Sequence, residues 1–185
     1  MKIEYEIIDN FLDVPAFTEL QNLIMHSPVL PWQYNSRIEG LDSDGEQKIL
    51  SNGKFDMSNI KSQNWRLSYL VHPLYSDFWI QSEQFSMIMP IIIKHLNIHA
   101  LVRAKINLYP CQDTLTEHGV HSDFPFNHKA ALYYLNTCDG YTKLKDGTKI
   151  ESVENRMLIF DGSIIHASTN TSNVNARYNI SINYF

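Results

Sequence analysis

His121-Ser122-Asp123 sets an imidazole and a carboxylate two positions apart. On an extended segment, side chains at i and i+2 project to the same side, so both can reach one ion. A third ligand from a distant strand, for which His166 is the candidate, completes a face of two histidines and one carboxylate. Such a face leaves three octahedral positions open and suits Fe(II) chemistry with a chelating 2-oxo acid and dioxygen. The His-x-Asp pair alone is weak: eight histidines and twenty acidic residues in 185 give roughly one His-x-acid match by chance. Its weight depends on what accompanies it.

His166 lies on a short apolar segment after the turn dipeptide Asp161-Gly162, and Arg177 follows eleven positions later. A hairpin between 164–168 and the last strand, turning at Thr171-Ser172, predicts that His166 and Arg177 stand opposite each other. Arg177 then enters the cavity beside the metal ligand, where its planar guanidinium suits bidentate capture of a carboxylate. Lys105 shares strand parity with Asn107 and Tyr109 and is the rival cation, with Arg177 preferred.

The set His121-x-Asp123, His166 and Arg177 resembles the signature of 2-oxoglutarate/Fe(II)-dependent dioxygenases, in particular the prolyl-4-hydroxylase-like branch with its short bacteriophage members. Ile7-Ile8-Asp9-Asn10-Phe11-Leu12 resembles the opening of such domains, and Asn107-Leu108-Tyr109-Pro110 a segment ahead of the His-x-Asp motif that helps hold 2-oxoglutarate. The resemblance covers nearly the whole chain. It implies a double-stranded β-helix, iron held by His121, Asp123 and His166, and 2-oxoglutarate held by Arg177 with Tyr109 and Asn107. It also implies a hydroxylase that releases succinate and CO2. Prolyl hydroxylases commonly carry Lys where this chain has Arg177, so the branch's substrate is not inherited.

Other readings compete for the same residues. Glu117-His118-Gly119-Val120-His121 also contains His-x-x-His, and His118, His121 and Asp123 compose an alternative hydrolytic zinc site. Gly119 argues against a rigid helix presenting that pair, which leaves His118 near the site or at its mouth, or else on a loop facing solvent. A cupin-like metal-binding module without turnover is the second alternative. His128 follows Phe124-Pro125-Phe126 and either faces substrate or simply starts a strand. His26, His72, His95 and His99 have no ligand spacing to one another and are read as structural or surface residues.

These residues need a rigid frame. A short strand over 4–8 and a helix over 14–25, with Phe17, Leu20, Leu23 and Ile24 on one stripe, open the chain. The polar stretch 40–59 reads as a long loop or lid, 65–72 as a strand, and 82–96 as a helix that Pro90 kinks or divides. From 101 onward the pattern changes to short strands, at 102–109, 129–136, 148–153, 156–160, 164–168 and 177–184. Helices first and strands after predict a mostly β fold, a jelly-roll or cupin-like barrel buttressed by N-terminal helices. The expected organisation is one domain over 1–185, with helical support and lid in 1–100 and the β-helix core in 101–185. In the last strand Arg177, Asn179, Ser181 and Asn183 share one face, and Tyr178, Ile180, Ile182 and Tyr184 the other. If helices cover the apolar face, the polar one lines a binding cavity.

The bulk properties agree. The chain is 44% hydrophobic and 19% charged, which is globular. The apolar stretch 85–96 is too short and too broken to span a bilayer, and the N-terminus lacks a signal-peptide pattern. A cytoplasmic protein is expected, its Cys111 and Cys138 free and buried and its Asn170-Thr171-Ser172 a turn rather than a glycosylation acceptor. The net charge of −5 does not favour nucleic acid as a partner, without excluding it. The aromatic and acidic residues of 40–59 and Phe124-Pro125-Phe126 point to a peptide, protein side chain or small molecule as the primary substrate.

Overall fold

The computed structural model describes residues 4–35 and 68–185. The loop expected over 40–59 and the start of the strand expected over 65–72 lie outside the described residues.

Two antiparallel sheets face each other as a double-stranded β-helix. The larger runs in the order β1 (Tyr5–Ile8), β9 (Arg156–Asp161), β6 (Lys129–Tyr134), β11 (Ala176–Tyr184), β5 (Leu101–Pro110), β3 (Tyr69–Ser76) and β2 (Gln33–Asn35). The two-residue β4 (Trp79–Ile80) pairs with β3. The smaller sheet has the order β10 (His166–Ser168), β7 (Tyr141–Leu144) and β8 (Lys149–Glu151). Residues 117–121 run along the other edge of β10, through bridges Glu117–Thr169 and His121–His166.

Strand alternation decides what each face buries. On β11, β5 and β6 the residues Ile180, Ile182, Tyr184, Ala104, Ile106, Ala131 and Tyr133 point outward. There they meet α1 (Val14–Ile24) and α2 (Phe85–Ile93), which contribute Phe17, Leu20, Ile24, Ile88, Met89 and Ile92. Asp13 caps α1 by accepting the Ala16 N–H at 2.9 Å. Pro90 sits inside α2 and gives up the backbone bond to Ser86, yet the helix continues to Ile93.

Between the sheets a second cluster, Ala130, Tyr134, Leu144, Ile150, Leu158 and Phe160, fills only one side. The remaining inner face belongs to β5 and β11 and is polar. Asn107, Arg177, Asn179, Ser181 and Asn183 are all buried there.

Several expectations need correction. Residues 164–168 do not form a hairpin with the last strand. β10 pairs with β7, opposing His166 to Leu144, whereas β11 pairs with β5 and β6. The two segments belong to different sheets. Strand β7 was not anticipated, because its four residues show no sustained alternation. Both cysteines are free, but only Cys138 is buried; Cys111 is exposed. Among the described residues no helix is long and apolar enough to cross a membrane.

Candidate metal centre

The His121–His166 bridge sets the two histidines directly opposite each other. The His121 N–H donates to the His166 carbonyl at 2.9 Å and the His166 N–H to the His121 carbonyl at 2.8 Å. Their rings lie 4.6 Å apart between centroids. Asp123, two residues on, joins from the same side, and one ligand atom from each of the three lies within 4.8 Å of the others. His118 is outside this group, so the alternative zinc set of His118, His121 and Asp123 is not the one brought together.

Each ring is also held in a defined tautomer. Nδ1 of His121 faces the Gly119 carbonyl at 3.3 Å, and Nδ1 of His166 faces the Ile164 carbonyl at 2.9 Å. A carbonyl only accepts, so both Nδ1 atoms carry the proton and both Nε2 lone pairs are free for an ion. Burial, then the neighbouring His166, pushes His121 down to about 4, which keeps it neutral at ordinary pH. Burial acts to raise Asp123. Arg103, His166 and a bond from Asn183 outweigh it and hold the carboxyl below its usual 3.8, so it stays ionised. Two imidazole Nε2 atoms and one carboxylate are a donor set that suits a divalent iron.

The cleft beside the triad is lined by Lys105, Asn107, Tyr109, Thr142, Ser168, Asn179 and Ser181, and it encloses about 390 Å³, its open mouth included. Register pairs these side chains across the strands. Asn107 opposes Asn179 and donates to its Oδ1 at 2.8 Å, and Arg177 opposes Tyr109. Arg177 is not itself part of the lining; it is fully buried behind Tyr109 and Thr142, which are. Its Nη1 donates to the Thr169 carbonyl at 2.9 Å and its Nη2 approaches Thr142 Oγ1 at 3.3 Å, with the guanidinium 5.4 Å over Tyr109 and 5.5 Å over Tyr134. Burial holds the Tyr109 phenol above its usual 10 against the pull of Arg177, so the hydroxyl remains a donor within reach of Ser168 and Asn179.

Three buried atoms in the neighbourhood of Tyr109 have no hydrogen-bond partner among the described residues: Arg177 Nε, Asn107 Oδ1 and His118 Nε2. His118 is not at the mouth. It is 3% exposed, bound through Nδ1 to Ser168 Oγ at 3.0 Å, with its ring 5.4 Å from Tyr109. Burial, then Arg177, pushes it down to about 3, so it too is neutral.

His128 does not face the cleft. Its Nδ1 donates to the Phe126 carbonyl at 2.8 Å, and its Nε2 accepts from Asn183 Nδ2 at 3.1 Å. Sequence reasoning missed Arg103, whose Nη2 lies 2.5 Å from Asp123 Oδ1. Its parity with Lys105 and Asn107 already placed it on the inner face. Phe124 and Phe126 stack at 5.2 Å next to the centre, with Arg103 4.8 Å over Phe124.

No family model and no curated protein matches this chain. Solved structures match it in fold. A prolyl hydroxylase from Trichoplax adhaerens, in complex with a hypoxia inducible factor oxygen degradation domain peptide fragment, is 17% identical with a TM-score of 0.56, over 98% of this chain and 83% of that one. A 2OG-Fe(II) oxygenase family oxidoreductase from Burkholderia pseudomallei is 10% identical with a TM-score of 0.59, over 97% and 84%. The 2OG complex of the viral collagen prolyl hydroxylase from Paramecium Bursaria Chlorella virus-1 is 14% identical with a TM-score of 0.55, over 97% and 94%.

Proposed function

We propose that this protein is an Fe(II)- and 2-oxoglutarate-dependent oxygenase that hydroxylates a C–H bond of a protein side chain or small molecule. His121, Asp123 and His166 are its iron ligands, and Arg177 with Tyr109 and Asn107 holds the co-substrate. The observation that carries this reading is the buried Arg177. Among the described residues no carboxylate pairs with it, and its Nε has no partner. An unpaired buried cation costs several kcal/mol, roughly, unless an anion reaches it. It lies behind Tyr109 and Thr142 of a cleft whose wall also carries two imidazole Nε2 atoms and a carboxylate. A molecule with a carboxylate at one end and a chelating 2-oxo acid at the other satisfies both.

When bound, iron and 2-oxoglutarate supply the oxidising power, taking up dioxygen and yielding succinate and CO2. The chain's own residues orient and insulate. Gly119 and Ile164 keep the proton on Nδ1 of each histidine. Tyr109 and Tyr134 wall Arg177 off from water, which strengthens its attraction for a carboxylate. The Trichoplax structure holds a peptide, and by extension a peptide or protein is one of the two substrate classes proposed.

Anaerobic addition of Fe(II) followed by 2-oxoglutarate is expected to give a charge-transfer absorption that needs both. His121→Ala is expected to remove it, together with substrate-dependent succinate release. No absorption, with tight Zn(II) binding instead, favours a hydrolytic zinc centre or a binding module without turnover. A succinate-release screen over amino acids, peptides and oligonucleotides identifies the substrate, and a response to nucleobases alone refutes the class proposed.

A further inference from the structure

Asp123 is gripped from two sides. Arg103 Nη2 donates to its Oδ1 at 2.5 Å, and Asn183 Nδ2 donates to its Oδ2 at 2.9 Å. The two donors are tied together, since Arg103 Nε donates to Asn183 Oδ1 at 3.1 Å. They stand opposite each other in the β5–β11 register, so backbone pairing sets their spacing. Asn183 is tied in turn to His128, whose protonated Nδ1 leaves Nε2 as an acceptor for the Asn183 amide. His128 is itself fitted against Gly162, where an added Cβ would come within 2.2 Å of Nε2. The Asp123 N–H donates to the Gly162 carbonyl at 3.0 Å and closes the ring of contacts.

We infer that Arg103, Asn183 and His128 form a positioning bracket that fixes the orientation of Asp123 as a metal ligand. This rests on the metal centre proposed above. An ionised carboxylate offers about four lone-pair sites. The bracket occupies one on each oxygen and leaves the others for an ion, so the plane of the carboxylate is set while its donor capacity is kept. It also removes the freedom of the Asp123 side chain before any ion arrives. The two consequences of Arg103 oppose each other. Its charge repels a divalent ion and weakens Asp123 as a donor, whereas its fork fixes the carboxylate's orientation. Arg103 already neutralises Asp123 in the metal-free protein, and positioning is the effect we infer to win.

The test titrates Co(II) into the metal-free protein without 2-oxoglutarate, following the visible d–d bands, with thermal unfolding of each metal-free variant alongside. Arg103→Ala and Asn183→Ala are each expected to weaken Co(II) binding by about 10- to 100-fold, the range for outer partners of metal ligands, and to change band intensity. Arg103→Lys keeps the charge without the fork and is expected to recover only part of the affinity. Arg103 is partly exposed, so its variants do not depend on core packing for folding. Unchanged or tighter binding in Arg103→Ala overturns the bracket, as does full recovery by Arg103→Lys, which would make charge alone sufficient. Failure of the unsubstituted protein to bind Co(II) at one per chain overturns the metal centre itself, and the bracket with it.

Discussion

The two faces of β11 are buried alike and composed oppositely. Tyr178, Ile180, Ile182 and Tyr184 pack outward against the helices, while Arg177, Asn179, Ser181 and Asn183 turn inward between the sheets. One strand therefore serves two interiors. The outward face gains stability from every methylene it removes from water. The inward face spends part of that stability on amides and a guanidinium that the fold alone leaves incompletely satisfied. Equal burial does not mean equal purpose: on the function proposed above, the unsatisfied face is the one organised around something that binds.

The widest separation between the faces is expected from Arg177→Met. It should reduce 2-oxoglutarate affinity by at least about 100-fold, because a captured carboxylate loses its partner. The metal-free, co-substrate-free protein should unfold at the same temperature or higher, since an unpaired buried charge is removed. A large fall in the unfolding temperature would show that Arg177 is structural and would erase the contrast. Ile180→Ala tests the opposite face. It is expected to cost about 3 kcal/mol of stability, roughly a 6–12 °C fall in unfolding temperature, with 2-oxoglutarate affinity unchanged in the fraction that stays folded.

A smaller effect is expected from Asn155→Ala. Asn155 has φ of +58° and binds the Leu12 N–H and carbonyl and the Tyr133 hydroxyl, all on the helix side. Its loss should cost about 1–3 kcal/mol in chemical denaturation and spare metal binding. Tyr134→Phe should be the mildest. It removes a buried hydroxyl bond to Thr142 at 2.8 Å, worth about 1 kcal/mol, while leaving the ring against Arg177. A larger drop in 2-oxoglutarate affinity than in stability would place that hydroxyl in the co-substrate pocket.

What could be read from the sequence was whatever depends on a strand's own alternation. The inward placement of Arg177 survived even though the hairpin proposed to justify it does not exist. Parity is set within a strand, whereas partnership is set by the fold. Asn183 on the inner face has the same origin, whereas His121 and Asp123 share a side on a segment outside the named strands, held by the bridge of His121 to His166. The partner of His166 was not legible, because a segment of three residues flanked by turns pairs equally well with several neighbours in the absence of tertiary information. Arg103 and His128 were missed or left open for a related reason: their roles exist only relative to Asn183 and Asp123, which lie 20 to 80 positions away. His118 was left open between the surroundings of the site, its mouth and a loop facing solvent, because nothing local announces Tyr109 beside it.

His121, His128 and His166 each bond through Nδ1 to the carbonyl two residues earlier, of Gly119, Phe126 and Ile164 respectively. That partner is main chain and therefore present whatever the side chains are. Ring orientation and proton position are thus written into a three-residue peptide unit and require no particular neighbour elsewhere. On the metal centre proposed above, positions around His121 and His166 are free to drift without retuning how those two rings would meet an ion.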